Sequence, residues 1–256
     1  MFELAQAVAV KARSAGVLGA LALALFLFQP AAHARAALVV GGFDASRGGI
    51  DSLQDSGERK LEKIIKKDFS AVTFKFANSL TTKFLKKVDV FVMGVAFAST
   101  TEITPLTAGE QSALLAFVNK GGTLIAFTDN DLQFGTASDS VLAPFGMSST
   151  GVLDDDQTAS FLNVLNPIQS GPFGTATQID MSWPGWFASL GTSTELAELE
   201  GNNEPALAYF PAATISQTSG AVVFFSDTSP MNDSFRTKND QIAILNAIAL
   251  AHGGGN

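Results

Sequence analysis

Cysteine is absent from the 256 residues, tyrosine occurs once, and the two histidines are His33 and His252. Without cysteine the chain has no disulfide, no thiolate nucleophile and no thiolate metal site. With no histidine between positions 33 and 252, a Ser-His-Asp arrangement lacks its base. Basic residues are also scarce, with Lys and Arg together 16 against 24 Asp and Glu, a formal net charge of −8. An acidic surface repels phosphate backbones, so nucleic acid is not an expected partner. The one basic cluster, ERKLEKIIKK (Glu58 to Lys67), alternates with apolar residues at helical spacing and reads as a solvated helix face. No apolar run reaches the ~20 residues that cross a bilayer.

What is present begins with a leader. Lys11 and Arg13 precede the apolar stretch AGVLGALALALFLF (Ala15 to Phe28), then Gln29-Pro30 and AAHARA. A basic flank, a short apolar core and an Ala-x-Ala site are the marks of a secretory signal peptide. Residues 1–36 are therefore expected to be removed, with a mature start at Arg35 or Ala37 and no stable membrane insertion afterwards. The alternative is an uncleaved anchor, for which fourteen apolar residues are short. The expected localisation is exported, periplasmic or extracellular. Residues 37–256 are expected to form a single domain, and the tail AHGGGN carries no expected sorting or lipid-attachment signal. Stability must come from packing, which suits 21 phenylalanines.

Along that domain, AALVVGGF (Ala36 to Phe43) is a continuous apolar run, as a strand buried on both faces would be. A helix is expected from about Ile50 to Lys67, with Ile50, Leu53, Leu61, Ile64 and Ile65 on its buried stripe. AVTFKF (Ala71 to Phe76) alternates like a half-exposed strand, a short helix is expected near Leu80 to Lys87, and VDVFVMGVAF (Val88 to Phe97) is another buried strand. Thr107-Ala-Gly-Glu110 is a capping box; the helix it opens should bury Leu114, Leu115 and Val118 and stop at Gly121. GTLIAFTDND then returns as a strand. This alternation predicts an α/β fold with a mainly parallel central sheet covered by helices. Beyond Gly135 a short helix is expected in TASDSVLAPFGM, an exposed loop in STGVLDDDQTAS, and strands at Glu195–Glu200, Ala206–Phe210 and Ala221–Ser226. Asp240 is expected to cap a last helix from Gln241 to Ala251.

VDVFVMGVAF, TAGEQSALLAFVNKGGTLIAF and GAVVFFSD, in that order, resemble the class I glutamine amidotransferase-like superfamily over nearly the whole mature chain. The first is similar to the strand before its oxyanion turn, the second to the helix and strand leading into its nucleophile elbow, and the third to the strand before its His-x-Glu. NPIQSGPFG and WPGWF also resemble uncharacterised exported bacterial proteins. The resemblance implies a flavodoxin-like three-layer sandwich. At the elbow, however, the sequence reads Thr128-Asp129-Asn130, with no Cys. The late strand ends in Ser226-Asp227-Thr228, with no His. The resemblance therefore implies a catalytically empty member. Similar empty modules in gliding-motility transporter accessory proteins and intraflagellar-transport proteins imply an interaction role.

In open α/β sheets ligands bind beyond the carboxyl ends of the strands. Asp44, Asp129, Asp131, Asp227 and Asp233 all fall at such ends in this reading. Hard oxygen donors without His or Cys suit Ca²⁺ or Mg²⁺, with Asp129 and Asp227 as the ligands. Otherwise no cofactor is expected. The same carboxylates suit sugar hydroxyls, with Trp183, Trp186 or Phe97 as a stacking surface. They equally suit turn formation and helix capping. Neither DND nor DDD (Asp154 to Asp156) has EF-hand spacing, and VVGGFDASRGG lacks both the dinucleotide glycine pattern and the Walker lysine. Asn232-Asp-Ser matches the glycosylation acceptor pattern. Three functions remain: a non-catalytic domain binding a small molecule, glycan or protein at the strand-end edge; a metal-dependent hydrolase of extracellular glycans or esters; and a structural envelope component.

Overall fold

The computed structural model describes residues 37–98, 102–162 and 165–253; the expected leader lies outside them. The first half alternates strands and helices: β1 (Leu38–Phe43), α1 (Ala45–Gly48), α2 (Arg59–Asp68), β2 (Val72–Ala77), α3 (Thr82–Leu85), β3 (Val90–Met93), α4 (Ala108–Val118), β4 (Thr123–Phe127) and α5 (Asp131–Leu142). The second half is mostly strands: β5 (Ser148–Thr150), β6 (Asp156–Phe161), β7 (Ser170–Gly171), β8 (Gly174–Thr175), β9 (Gln178–Ser182), β10 (Trp186–Ser189), β11 (Thr194–Leu199), β12 (Pro205–Phe210) and β13 (Val222–Phe225). The helix α6 (Lys238–Gly253) closes it.

Nine strands form one sheet in the order β2-β1-β3-β4-β13-β12-β11-β6-β9. β2, β1, β3, β4 and β13 run parallel, and β12, β11, β6 and β9 continue the sheet antiparallel. The parallel part has the flavodoxin-like order 2-1-3-4-5, whose switch point lies between β1 and β3. β3, β4 and β13 are buried at every residue because helices cover both faces. Successive side chains enter opposite cores: Val90, Val92, Ile125, Phe127, Val223 and Phe225 on one face, Phe91, Met93, Leu124, Ala126, Val222 and Phe224 on the other. α2 and α6 pack with the first set, α4 and α5 with the second. The three-layer α/β sandwich expected from the sequence is thus the fold observed.

Thr107 and Glu110 make the capping box in full, and Gly121 has the left-handed φ of +95° expected after the helix. Other expectations need correction. The helix from Ile50 to Lys67 is a single 3-10 turn (Gly49–Asp51), a looped segment, and only then α2. Ser52 Oγ accepts from the Gln54 N–H and Asp55 Oδ1 from the Gly57 N–H. Such local side-chain bonds compete with helical ones. Ile50 is accordingly 57% exposed rather than on a buried stripe, and Glu58, expected on a solvated face, is only 1% exposed. The loop expected over 149–160 contains β6, whose partners β9 and β11 lie far away in sequence. The final helix is capped by Thr237, whose Oγ1 accepts from the Asp240 N–H, while Asp240 Oδ2 accepts in return from the Thr237 N–H.

Candidate functional site at the carboxyl edge of the sheet

β4 and β13 are neighbours in register, with Phe127 opposite Phe225 and their rings stacked 4.5 Å apart. The next residues of each strand therefore leave the sheet side by side. Asp129 Oδ1 accepts from the backbone and side-chain N–H groups of Asn130 (2.7 and 2.8 Å), and Oδ2 from the Thr228 hydroxyl (2.9 Å). Asp227 is 1% exposed. Its Oδ1 accepts from the Ser229 N–H (2.6 Å) and its Oδ2 from the Ser182 N–H (2.7 Å). Both carboxylates are thus the anchors of loops.

Two further acids join them. Asp51, on the turn after β1, sits against Gly94 at the end of β3, where a Cβ on the glycine would lie 2.4 Å from the Asp51 Cβ. Its Oδ2 accepts from the Val95 N–H at 3.0 Å. Glu58 Oε1 accepts from Asn232 Nδ2 at 3.2 Å, while Oε2 is buried with no hydrogen-bond partner.

Burial dominates the titration of all four. It pushes Asp51 up to about 8, helped by Asp129 and opposed by the Val95 hydrogen bond. It pushes Glu58 up to about 8, helped by Asp51. Asp129 rises to about 6, held down by its bonds from Asn130 and Thr228. Asp227 is raised well above the usual carboxylate range by burial and by Asp129. At neutral pH Asp51 and Glu58 keep their protons, which lessens the cost of the unpartnered Glu58 oxygen.

The remaining predicted residues divide. Asp44 caps α1, its Oδ1 accepting from the Ser46 N–H at 3.0 Å. Asp131 Oδ2 accepts from the Gly151 N–H at 2.8 Å. Asp233 accepts from the Lys60 N–H at 2.9 Å and pairs with Arg236. Phe97 is not a stacking surface: it is 3% exposed and packs with Val95 and Ala137, because the turn after β1 closes over it at Gly49. Trp186 is half-buried over Gly151 and packed against the core. Trp183 is 52% exposed and has a left-handed φ of +58°, rare for a bulky residue. Its carbonyl accepts from Asn130 Nδ2 at 3.1 Å, and Gly185 lies so close to the Asn130 Cα that a Cβ there would be 2.9 Å away. The loop bearing Trp183 is therefore seated on the end of β4.

Sequence reasoning did not place Asp51, Glu58 or Asp240 at this edge, expecting Glu58 on a solvated helix face and Asp240 only as a helix cap. Nothing local marks Asp51 as buried, since the glycine that admits it lies 43 positions away. Asp240 Oδ1 accepts from the Asp180 N–H at 2.9 Å, another contact between distant segments. Among the described residues no group of three or more His, Cys, Asp or Glu side chains is placed to hold a metal ion, and no helix is long and apolar enough to cross a membrane.

No family model matches the chain, and no curated protein sequence does. Solved structures do. The mmIFT52 N-terminal domain superposes with a TM-score of 0.61 at 13% identity, covering 86% of this chain and 99% of that one. A cytoplasmic protein from Salmonella typhimurium LT2 gives 0.57 at 16% identity, covering 82% and 97%. A ThuA-like protein from Bacteroides uniformis ATCC 8492 gives 0.55 at 12% identity, covering 89% and 98%. The flavodoxin-like α/β fold with a mainly parallel central sheet is shared with the ThuA-like structure. At these identities the likeness extends to the fold alone.

Proposed function

We propose that the chain is an exported, non-catalytic amidotransferase-like domain that binds a ligand at the carboxyl edge of its sheet. The observation that carries this reading is Trp183, a bulky residue in the left-handed region of backbone space, half exposed, on a loop fixed to β4 through Asn130. Such strain persists where surrounding structure holds it, and it gathers at ligand sites. Ile50, Leu132 and Phe235 are the other large apolar side chains exposed on segments that follow β1, β4 and β13, at 57%, 69% and 52%.

The non-catalytic part rests on the elbow and late-strand positions. Asp129 and Asp227 occupy them, are buried, and have their oxygens engaged by loop donors. A metal-dependent hydrolase would need those oxygens free for the ion.

A photo-crosslinking residue in place of Trp183, with Lys83 as control, tests the edge in producing cells. The reading expects an adduct at 183 and none at 83. No adduct at 183, or equal adducts at both, contradicts it.

A further inference from the structure

Resting on that reading and deepening it, we propose that the groove formed by β6, β9 and Phe235 binds one hexose unit of a neutral glycan. In the β6–β9 ladder Asp156 faces Ser182, Thr158 faces Asp180 and Ser160 faces Gln178. Directly opposed residues share a face, so one face of this two-strand ribbon carries only hydroxyl, carboxyl and amide groups. The intervening Ala159, Ile179 and Met181 are buried in the core. Phe235 and the Asp156 end of the ribbon, from Asp156 to Thr158 and Asp180 to Ser182, line an open groove of about 260 Å³. That is slightly less than the ~300–1,000 Å³ of pockets for drug-sized molecules. It suits one ring of a longer chain.

The donors and acceptors fit a sugar. Asp180 Oδ1 accepts from Gln178 Nε2 at 2.8 Å and from the Thr158 hydroxyl at 3.4 Å. No donor among the described residues reaches its Oδ2 or either oxygen of Asp156. These oxygens accept from hydroxyls, each of which can donate once and accept twice. The exposed Phe235 ring offers an apolar surface to the C–H face of a pyranose, the combination of apolar wall and few placed polar groups that small-molecule sites use. Trp183 follows Ser182 in the chain, the next apolar surface along.

The same geometry argues against two rivals. Uronate or sulfated sugars would meet Asp156 and Asp180 with the exposed Asp154 and Asp155 beside them, and like charges brought together are rejected. An extended peptide cannot add to β9 as a further strand. The outward N–H groups of Asp180 and Ser182 already donate to Asp240 Oδ1 and Asp227 Oδ2.

The test is a glycan microarray probed with the isolated protein, followed by calorimetry on the best-bound neutral glycan. Binding to at least one neutral hexose polymer is expected, weakened about tenfold or more by Phe235→Ala and by Asp156→Ala. Both side chains are exposed, so neither substitution should move the melting temperature. An array empty of neutral glycans, binding confined to acidic ones, or variants that bind as the wild type does would each overturn the hexose assignment. An adduct at position 183 with an empty array leaves the binding edge standing and removes only the sugar. An empty array with no adduct removes both.

Discussion

Ser182 stands between two aspartates that the fold uses in opposite ways. Across the ladder it faces Asp156, which is exposed. Through its N–H it binds Asp227, which is 1% exposed. No donor among the described residues reaches the Asp156 carboxylate, which stays in solvent. Asp227 bridges Ser229 to Ser182 and so ties the loop after β13 to the edge strand β9. An edge strand with open N–H groups invites unwanted pairing, and Asp227 and Asp240 close this one. The difference teaches that a carboxylate at a strand end identifies neither a site nor a scaffold. Burial and the number of oxygens already engaged decide.

The largest effect should come from breaking the buried partner. Asp227→Ala leaves the buried Ser229 N–H unsatisfied at ~1–3 kcal/mol and leaves the Ser182 N–H only its longer bond to Ser229 Oγ at 3.3 Å, so a loss of about 2–3 kcal/mol is expected in denaturant unfolding. Asp227→Asn keeps one acceptor but points an amide N–H at the other donor, and should cost about 1–2 kcal/mol. Equal stability of the Ala variant and the wild type would show that these bonds do not hold the loop.

A second effect separates buried acids from exposed ones by pH. Asp51 and Glu58 titrate at about 8 in the fold, and Asp129 and Asp240 at about 6, against about 4 in an unfolded chain. Between those values the folded state binds the extra protons. Their contribution to stability is therefore complete below about pH 4 and is lost as pH rises through 6 and then 8. Asp51→Asn carries no charge and can still accept from Val95, so it should flatten the fall between pH 6 and 8 and raise stability at pH 8. A stability curve for the variant parallel to that of the wild type would contradict the burial of a protonated Asp51.

The parallel half of the molecule was legible in the sequence because its signals are local. The runs LVVGGF, VFVM and TLIAF read as doubly buried strands, and Thr107 to Glu110 announced a helix start. Of the antiparallel half, the strands expected at Glu195–Glu200 and Ala206–Phe210 are found as β11 and β12, whereas β6 and β9 were not expected. β6 reads DQTASF, polar on its outer face and small at Ala159 on its inner one, and only pairing with β9 and β11 makes it a strand. The candidate site shows the same division. Asp129 and Asp227 could be put on one edge from strand order. Their engagement by Asn130, Thr228, Ser182 and Ser229, the burial of Phe97, and the intrusion of Asp51 over Gly94 depend on how separate segments meet.

The smallest effect belongs to the exposed aspartate. Asp156→Ala should change folding stability by less than about 0.5 kcal/mol, as surface substitutions do. A loss like that of Asp227→Ala would mean that the two residues belong to one scaffold after all.

The central claim is that the acids at the ends of β4 and β13 secure loops through hydrogen bonds rather than through a bound ion. Melting curves of the wild type and Asp227→Ala, each recorded with Ca²⁺, with Mg²⁺ and with a chelator, test it most directly. The account predicts the same drop in melting temperature in all three conditions and a wild type indifferent to them. A cation that raises the melting temperature of the wild type by mass action, with the rise abolished in Asp227→Ala, would contradict it.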